Sequence, residues 1–517
     1  LARRQGVALR AAAAGAAGLF KAVMALHHKV LPPTIKVDRP NPKLNIEESP
    51  FYINATLRPW VRGSSHDRRA SVSSFGFGGS NFHLTLEEYN GAHRPGRFRT
   101  QDSELVTLSA ESPLALAGLI AGLPSEGPGL LPWMAHWSQG EFNAKHPARL
   151  AIVAESDDDL RTKLATAKKH IETKGADPLT APNGIYYGTG EAQGAVGLLF
   201  PGQGSQYLHM GRDLAVHYER ALSAWDLAAD LELDGSTLHD VVFPRHSFAD
   251  GAEKVQAAEL VKTHWAQPAI GAVSLSQLAL ISAMGLEFQA TGGHSYGEVT
   301  ALHAAGAFDA MTMLQIARKR GELMTEAAKT PGSMTAVRAT VDEVRAVLDT
   351  STADVVVANH NAPNQVVLSG PTDAVAAIEK DLDGASLSYT RLPVATAFHS
   401  KVVAPAAKPF QVFLKSADIA APKATVYANS EAAPYAKSAA DVRKTLSGAV
   451  AAPVRFVEQV KAMHEQGIRT FVEVGPGSVL TGLVGRILKD APHTAVNLDR
   501  KGQDGVTALL RGLAQLC

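Results

Sequence analysis

At 517 residues the chain is long enough for about three domains, each able to bury its own core. Its 50 basic side chains balance 50 acidic ones, so bulk charge gives no argument for nucleic acid or an anionic membrane as partner. The single cysteine, Cys517, excludes an intrachain disulfide framework and fits a reducing, cytoplasmic setting, and no uninterrupted apolar run reaches the ~18 residues that span a bilayer.

In chain order, Arg3-Arg4 followed by the Ala-rich stretch Ala11–Phe20 imitates a secretory signal. The small residues continue through Leu26, however, and read better as a helix. The chain starts at Leu1 and ends in helix-like composition at Leu510–Leu516, so it reads as a piece of something longer. Leu31-Pro32-Pro33 ends the first helix, and Ser73–Gly79 is a glycine-rich turn between two strand-like runs. The polar segment 90–104 reads as a linker. Strands at Leu105–Ala110 and Ala148–Ala154, with an Ala/Leu helix near 113–123, predict a small α/β module over 104–190. Val196–Gln206 is a buried-type strand entering a glycine-rich loop. In 334–395, strands at Met334, Val355, Val366 and Leu387 alternate with helices near 341–350 and 372–382. That βαββαβ order predicts a ferredoxin-like insert. The main sheet is expected to resume near His399 and to include Phe471–Val474 before Gly475-Pro476-Gly477.

Within the main sheet, Gly293-His294-Ser295-Tyr296-Gly297 has the G-x-S-x-G form that sets a serine on a sharp strand-to-helix turn. Alone the pattern is weak, and an ordinary turn serine reads equally well. The approach Phe288–Gly292 and the small-residue helix Val299–Ala307 supply the context that favours a nucleophile. Glu298 reads as a favourable charge for that helix's dipole. Gly202-Gln203-Gly204-Ser205-Gln206 lacks the Gly-Lys-Ser/Thr of a nucleotide loop and reads better as an oxyanion loop; Ser205 has no elbow. Arg320 lies at the margin of the face formed by Met313, Leu314, Ala317, Gly321 and Met324. It is either a snorkelling surface arginine or a guanidinium turned inward for a carboxylate. His399, one of 19 histidines, follows the strand-like Ser388–Val394 and would not be chosen by spacing alone.

Taken together, Phe200–Gln206, Gly293–Glu298, Arg320-Gly-Glu-Leu-Met324, Asn361-Ala-Pro-Asn-Gln365 and Ala397-Phe-His-Ser400 resemble the malonyl-type acyltransferase domain of polyketide and fatty-acid synthases. Their order agrees, and the wording around Ser295 is similar to iterative type I synthases of the enediyne and polyunsaturated fatty-acid kind. Leu31-Pro-Pro-Thr-Ile35 and Val72–Asn81 resemble the C-terminal end of a ketosynthase.

The resemblance implies a hydrolase-like parallel α/β core with a ferredoxin-like subdomain, preceded by a small α/β linker domain. Residues 1–89 would be the ketosynthase remnant, 90–192 the linker domain, 193–333 and 396–490 the large subdomain, 334–395 the small one, and 491–517 a C-terminal tail or a linker following the acyltransferase. It implies Ser295 as nucleophile, His399 as base, and the backbone N–H groups of Gln203 and Tyr296 as oxyanion hole. Arg320 would hold the malonyl carboxylate, with Phe398, His294 and Asn361 as further substrate-binding positions. Phe398 would exclude a methyl branch. Malonyl-CoA would be the donor and the phosphopantetheine thiol of an acyl carrier protein the acceptor, within a type I polyketide synthase, with no metal and no bound cofactor. Two departures matter. A ketosynthase cysteine is absent, and Ala8-Leu9-Arg10-Ala11 stands where a Gly-His-Thr-Lys-type motif belongs, so 1–89 is expected not to condense acyl chains. Thr396 occupies a position where that family commonly has histidine. A serine esterase and a non-catalytic carrier-protein scaffold remain as alternatives.

Overall fold

A strand covered on both faces must be apolar throughout, and Leu198, Leu199 and Phe200 are all buried. The computed structural model describes residues 13–517 except 77, 78, 94, 95, 98, 99, 128, 192, 193, 234, 328–330 and 395. Arg3-Arg4, the Ala8–Ala11 segment and part of the Ser73–Gly79 turn therefore lie outside the described residues. Ala195–Phe200 is the centre of a five-stranded parallel sheet in the order Thr425–Tyr427, Ala290–Gly293, Ala195–Phe200, Ile468–Glu473, Thr494–Asn497. Loops that leave the carboxyl ends of these strands gather on one edge, where α/β sheets bind their ligands.

Two expectations are corrected. The sheet resumes at Thr425, not near His399, which sits in a turn before the short 3-10 helix Ala404–Ala406. The segment 491–517 is neither tail nor linker: it supplies the edge strand Thr494–Asn497 and the helix Gly505–Leu516. That helix starts at Asp504, whose carboxylate accepts from the Thr507 N–H at 2.9 Å. Its buried face joins the main core to the preceding module, where the Ser103 and Thr507 hydroxyls meet at 2.8 Å.

The βαββαβ insert forms as expected. Gly332–Val337, Val356–Ala362, Gln365–Pro371 and Tyr389–Arg391 make an antiparallel sheet with Gly332–Val337 and Gln365–Pro371 in the middle. Its first helix, Val341–Leu348, opens on a reciprocal capping box between Thr340 and Glu343. The linker module also forms, as an antiparallel sheet of Glu104–Ala110, Ala148–Ala154, Ile185–Thr189 and Leu179–Ala181. Two of its helices, Leu130–Glu141 and Asp157–Lys174, go beyond the sequence reading. Thr263–Ala283 is long and apolar enough to cross a membrane by composition, yet 78% of its apolar window is buried inside the protein. It serves as the core helix against which Ala310–Ala327 packs.

Residues 13–89 hold on to this core through charge. The Arg68 guanidinium, fully buried, donates to Glu88 at 2.8 Å and to both oxygens of Asp226 at 2.7 Å. Asp226 belongs to the helix Glu219–Ala228 of the core and also accepts from the Arg62 N–H. Removing one member of a buried pair strands the other charge, at about 3–5 kcal/mol. Glu88 remains beside Arg68, so Asp226→Ala is expected to cost about 3 kcal/mol, read as a lower urea midpoint.

Candidate active site

The chain reverses sharply between the strand Ala290–Gly293 and the helix Gly297–Ala304, and Ser295 sits at the apex with φ +52°. A non-glycine residue in the left-handed region costs roughly 1–2 kcal/mol, so the surroundings must enforce it. They do so by close backbone approach. A Cβ on Gly293 would lie 2.0 Å from the Gly297 carbonyl carbon, and one on Gly297 would lie 1.9 Å from the Phe200 carbonyl oxygen. Only glycine fits at either position, and the elbow is pressed against the loop that follows Phe200.

The Ser295 hydroxyl donates to Nε2 of His399 at 2.7 Å, and Nδ1 of His399 donates to the Ala452 carbonyl at 2.8 Å. The carbonyl accepts only, so the proton rests on Nδ1 and the Nε2 lone pair faces the serine. Among the described residues no carboxylate contacts His399, which is oriented by the Ala452 carbonyl instead. Burial, followed by the nearby charge of Arg320, pulls the imidazole down to about 3. The ring is therefore neutral and able to accept a proton.

Gly202 comes so near His294 that a Cβ there would sit 2.3 Å from the His294 carbonyl oxygen. This brings the Gln203 loop alongside the elbow. The Gln203 side chain donates to the Val261 carbonyl at 3.2 Å. Neither the Gln203 nor the Tyr296 N–H makes a hydrogen bond with any described residue. Ser205 donates to the Gly202 carbonyl at 2.9 Å and has no histidine partner among the described residues.

Arg320 is turned inward. It is 3% exposed, whereas Arg318 and Lys319 pair with Glu322 on the surface. Asp309 caps the helix by accepting from the Thr312 N–H at 2.7 Å, and Gly321 lets the chain at His264 pass so close that a Cβ there would lie 2.7 Å from the His264 Cα. Burial lowers the guanidinium to about 10, against the raising influence of Glu298, so it is still charged at neutral pH. Among the described residues no carboxylate lies within ion-pair distance of it. Burying a cation with no ion-paired carboxylate is costly, and among carboxylates here only the more distant Glu298 offsets the charge.

His294, held neutral by burial, donates from Nε2 to the Asn361 side-chain oxygen at 2.7 Å and so ties the insert to the elbow. Phe398 is half-buried between the main core and the insert's Met334, Ala358 and Val367. Glu298 departs from its expected role: at 1% exposure it is an internal acid, pushed up to about 7 by burial. Tyr435 donates to one of its oxygens, and the Asn429 N–H to the other at 3.0 Å. Asn429 itself is invisible in the sequence, a lone amide after Tyr427-Ala428 with no pattern around it.

A serine on the turn after a parallel strand, a histidine against it and a βαββαβ insert over the same edge make the architecture of an acyltransferase domain. Residues 198–516 match the acyl transferase domain family, and the chain belongs to it. Before that, residues 9–38 match the beta-ketoacyl synthase C-terminal domain and 40–126 the ketoacyl-synthetase C-terminal extension. A polyunsaturated fatty acid synthase polypeptide from Thraustochytrium sp. is 31% identical over 93% of this chain and 18% of its own length. A type I polyketide synthase of phenolphthiocerol synthesis from Mycobacterium marinum is 32% identical over 98% and 23%. The chain thus spans about a fifth of the length of these relatives. Among solved structures, the acyltransferase domain of an iterative polyketide synthase in enediyne biosynthesis aligns with TM-score 0.62 at 28% identity, over 80% of this chain and 96% of that one. The malonyl CoA-acyl carrier protein transacylase of Clostridium perfringens gives 0.55 at 28%, over 62% and 98%.

Proposed function

We propose that this domain moves a malonyl group from malonyl-CoA to the phosphopantetheine thiol of an acyl carrier protein by a two-step serine-ester mechanism. The observation that carries the reading is Arg320, a buried, charged guanidinium with no described ion-pair partner, near enough to the Ser295–His399 pair to lower the basicity of His399. Ser295 Oγ attacks the thioester carbon while His399 Nε2 takes its proton. The Tyr296 and Gln203 N–H groups stabilise the oxyanion, at about 3 kcal/mol per donor. His399 then gives the proton to the leaving CoA sulfur, and the malonyl ester stays on Ser295. The carrier thiol reverses these steps, losing its proton to His399, which returns it to Ser295. Arg320 holds the free carboxylate as a bidentate fork. Phe398, beside the acyl site, disfavours a branched acyl group; one methyl discriminates by about 1–3 kcal/mol. The likeness to the enediyne acyltransferase domain supports a place in an iterative type I synthase.

The test is intact-protein mass after brief exposure to malonyl-CoA, beside acetyl-CoA and methylmalonyl-CoA. A gain of about 86 Da with malonyl-CoA is expected, forming well ahead of any acetyl or methylmalonyl adduct, since the intermediate is covalent and the preference is one of rate. No adduct from any donor, with no CoA released, would overturn the reading. A pH expectation accompanies it. A histidine with an ordinary value loses its base form below about pH 6.5. With His399 down at about 3, kcat/KM for acylation should not fall with a midpoint near that value as pH drops from 8 towards 5. Stopped-flow release of CoA across that range checks it.

A further inference from the structure

The nucleophile's backbone is strained, and one side chain grips it from both sides. The Ser295 N–H donates to Asn429 Oδ1 at 2.6 Å, and Asn429 Nδ2 donates to the Gly293 carbonyl at 2.5 Å and to Gln459 Oε1 at 2.6 Å. Asn429 is 2% exposed and follows the strand Thr425–Tyr427, the immediate neighbour of the strand that leads into the elbow. Its main chain is fixed as firmly: its N–H donates to Glu298 Oε2 at 3.0 Å, and its carbonyl accepts from the Arg455 N–H at 3.1 Å. Tyr435 donates to the other oxygen of Glu298. Both hydrogens and the oxygen of the amide are thus committed, which fixes which end faces Ser295.

We infer that Asn429 is a positioning residue for the serine, its amide clamping the elbow between Gly293 and Ser295 while Glu298 and Tyr435 anchor the amide. None of the three touches the acyl group. Arg320 and Phe398 hold substrate from other elements, so loosening the clamp misaims the Ser295 hydroxyl towards His399 without weakening binding. A misplacement of about 1 Å at such a site costs on the order of 100-fold in rate.

This rests on Ser295 being the acyl acceptor, so two probes are used on the same protein. One is malonyl-CoA; the other is an alkyl fluorophosphonate, which needs no carboxylate clamp. In the second reaction Ser295 Oγ forms a bond to phosphorus, the P–F bond breaks, fluoride leaves and His399 takes the hydroxyl proton. Asn429→Ala is expected to slow both reactions by about 30- to 100-fold, with KM for malonyl-CoA changed less than about 3-fold. Tyr435→Phe, which removes one hydroxyl, should slow both by about 3- to 10-fold and melt within a few degrees of the parent. Wild-type rates in either folded variant, or a loss confined to KM, would overturn the inference. If Asn429→Ala fails to fold, Tyr435→Phe decides by the same criterion. A parent protein that takes neither label would instead overturn the proposed function.

Discussion

Replacing Ser295 with alanine is expected to abolish the malonyl-sized mass gain and to cut CoA release by about four to six orders of magnitude. Among the described residues the hydroxyl is the only group hydrogen-bonded to His399 Nε2, so nothing else there can take the acyl group. His399→Ala should come close to the same loss, because serine and histidine act as a unit and their effects do not add. The serine change should not unsettle the fold. Ser295 is half-buried, and its alanine variant still offers its N–H to Asn429. The substitution also separates classes of function. A carrier-protein docking scaffold would lose nothing, whereas a transferase or an esterase would lose its reaction. Intact mass and CoA release from one tube give the answer.

What the sequence disclosed follows from how each feature is encoded. The elbow, the Gln203 loop and the βαββαβ insert depend on contiguous residues, so glycine spacing and strand rhythm reveal them. Arg320 and His399 are harder. Helical periodicity puts Arg320 only at the edge of an apolar face, and its inward turn depends on Gly321 letting another chain segment pass close by. The resemblance, not spacing, singles out His399. The supports are hidden. Asn429 lies 134 positions from Ser295 and Ala452 lies 53 from His399, and a backbone carbonyl has no residue signature at all. Glu298 looks like a surface charge because a carboxylate in a first helical turn usually is one. Only the partners Tyr435 and Asn429, brought over it by the outer strand, make it an internal acid. The closing strand Thr494–Asn497 escapes notice because an edge strand of four residues after Pro492 reads as linker.

Arg320→Ala should reverse the preference for acyl groups rather than simply silence the protein. Truncating one partner of a buried charge pair costs about 3–5 kcal/mol, so kcat/KM for malonyl-CoA should fall by about 10²- to 10⁴-fold. Acetyl-CoA has no carboxylate to lose, and its loading should persist. It should even improve, because the Arg320 charge lowers His399 and its removal leaves a stronger base. Arg320→Lys keeps the charge but not the planar fork, so malonyl loading should be intermediate. Stability should move the other way. In the unliganded protein the guanidinium is buried with no described carboxylate in reach, so Arg320→Met, of similar length and apolar, is expected to raise the melting temperature by a few degrees. A residue retained at a cost to stability is one that function requires. A purely structural arginine would show the opposite pair of signs, with a lower melting temperature and malonyl and acetyl loading reduced alike. An esterase would show a third pattern, with hydrolysis of neutral thioesters unchanged in Arg320→Ala and no malonyl preference in the parent. Mass adducts from the two donors, set beside melting curves of the three variants, separate these cases. Malonyl loading that survives Arg320→Ala intact would remove the carboxylate clamp from the mechanism.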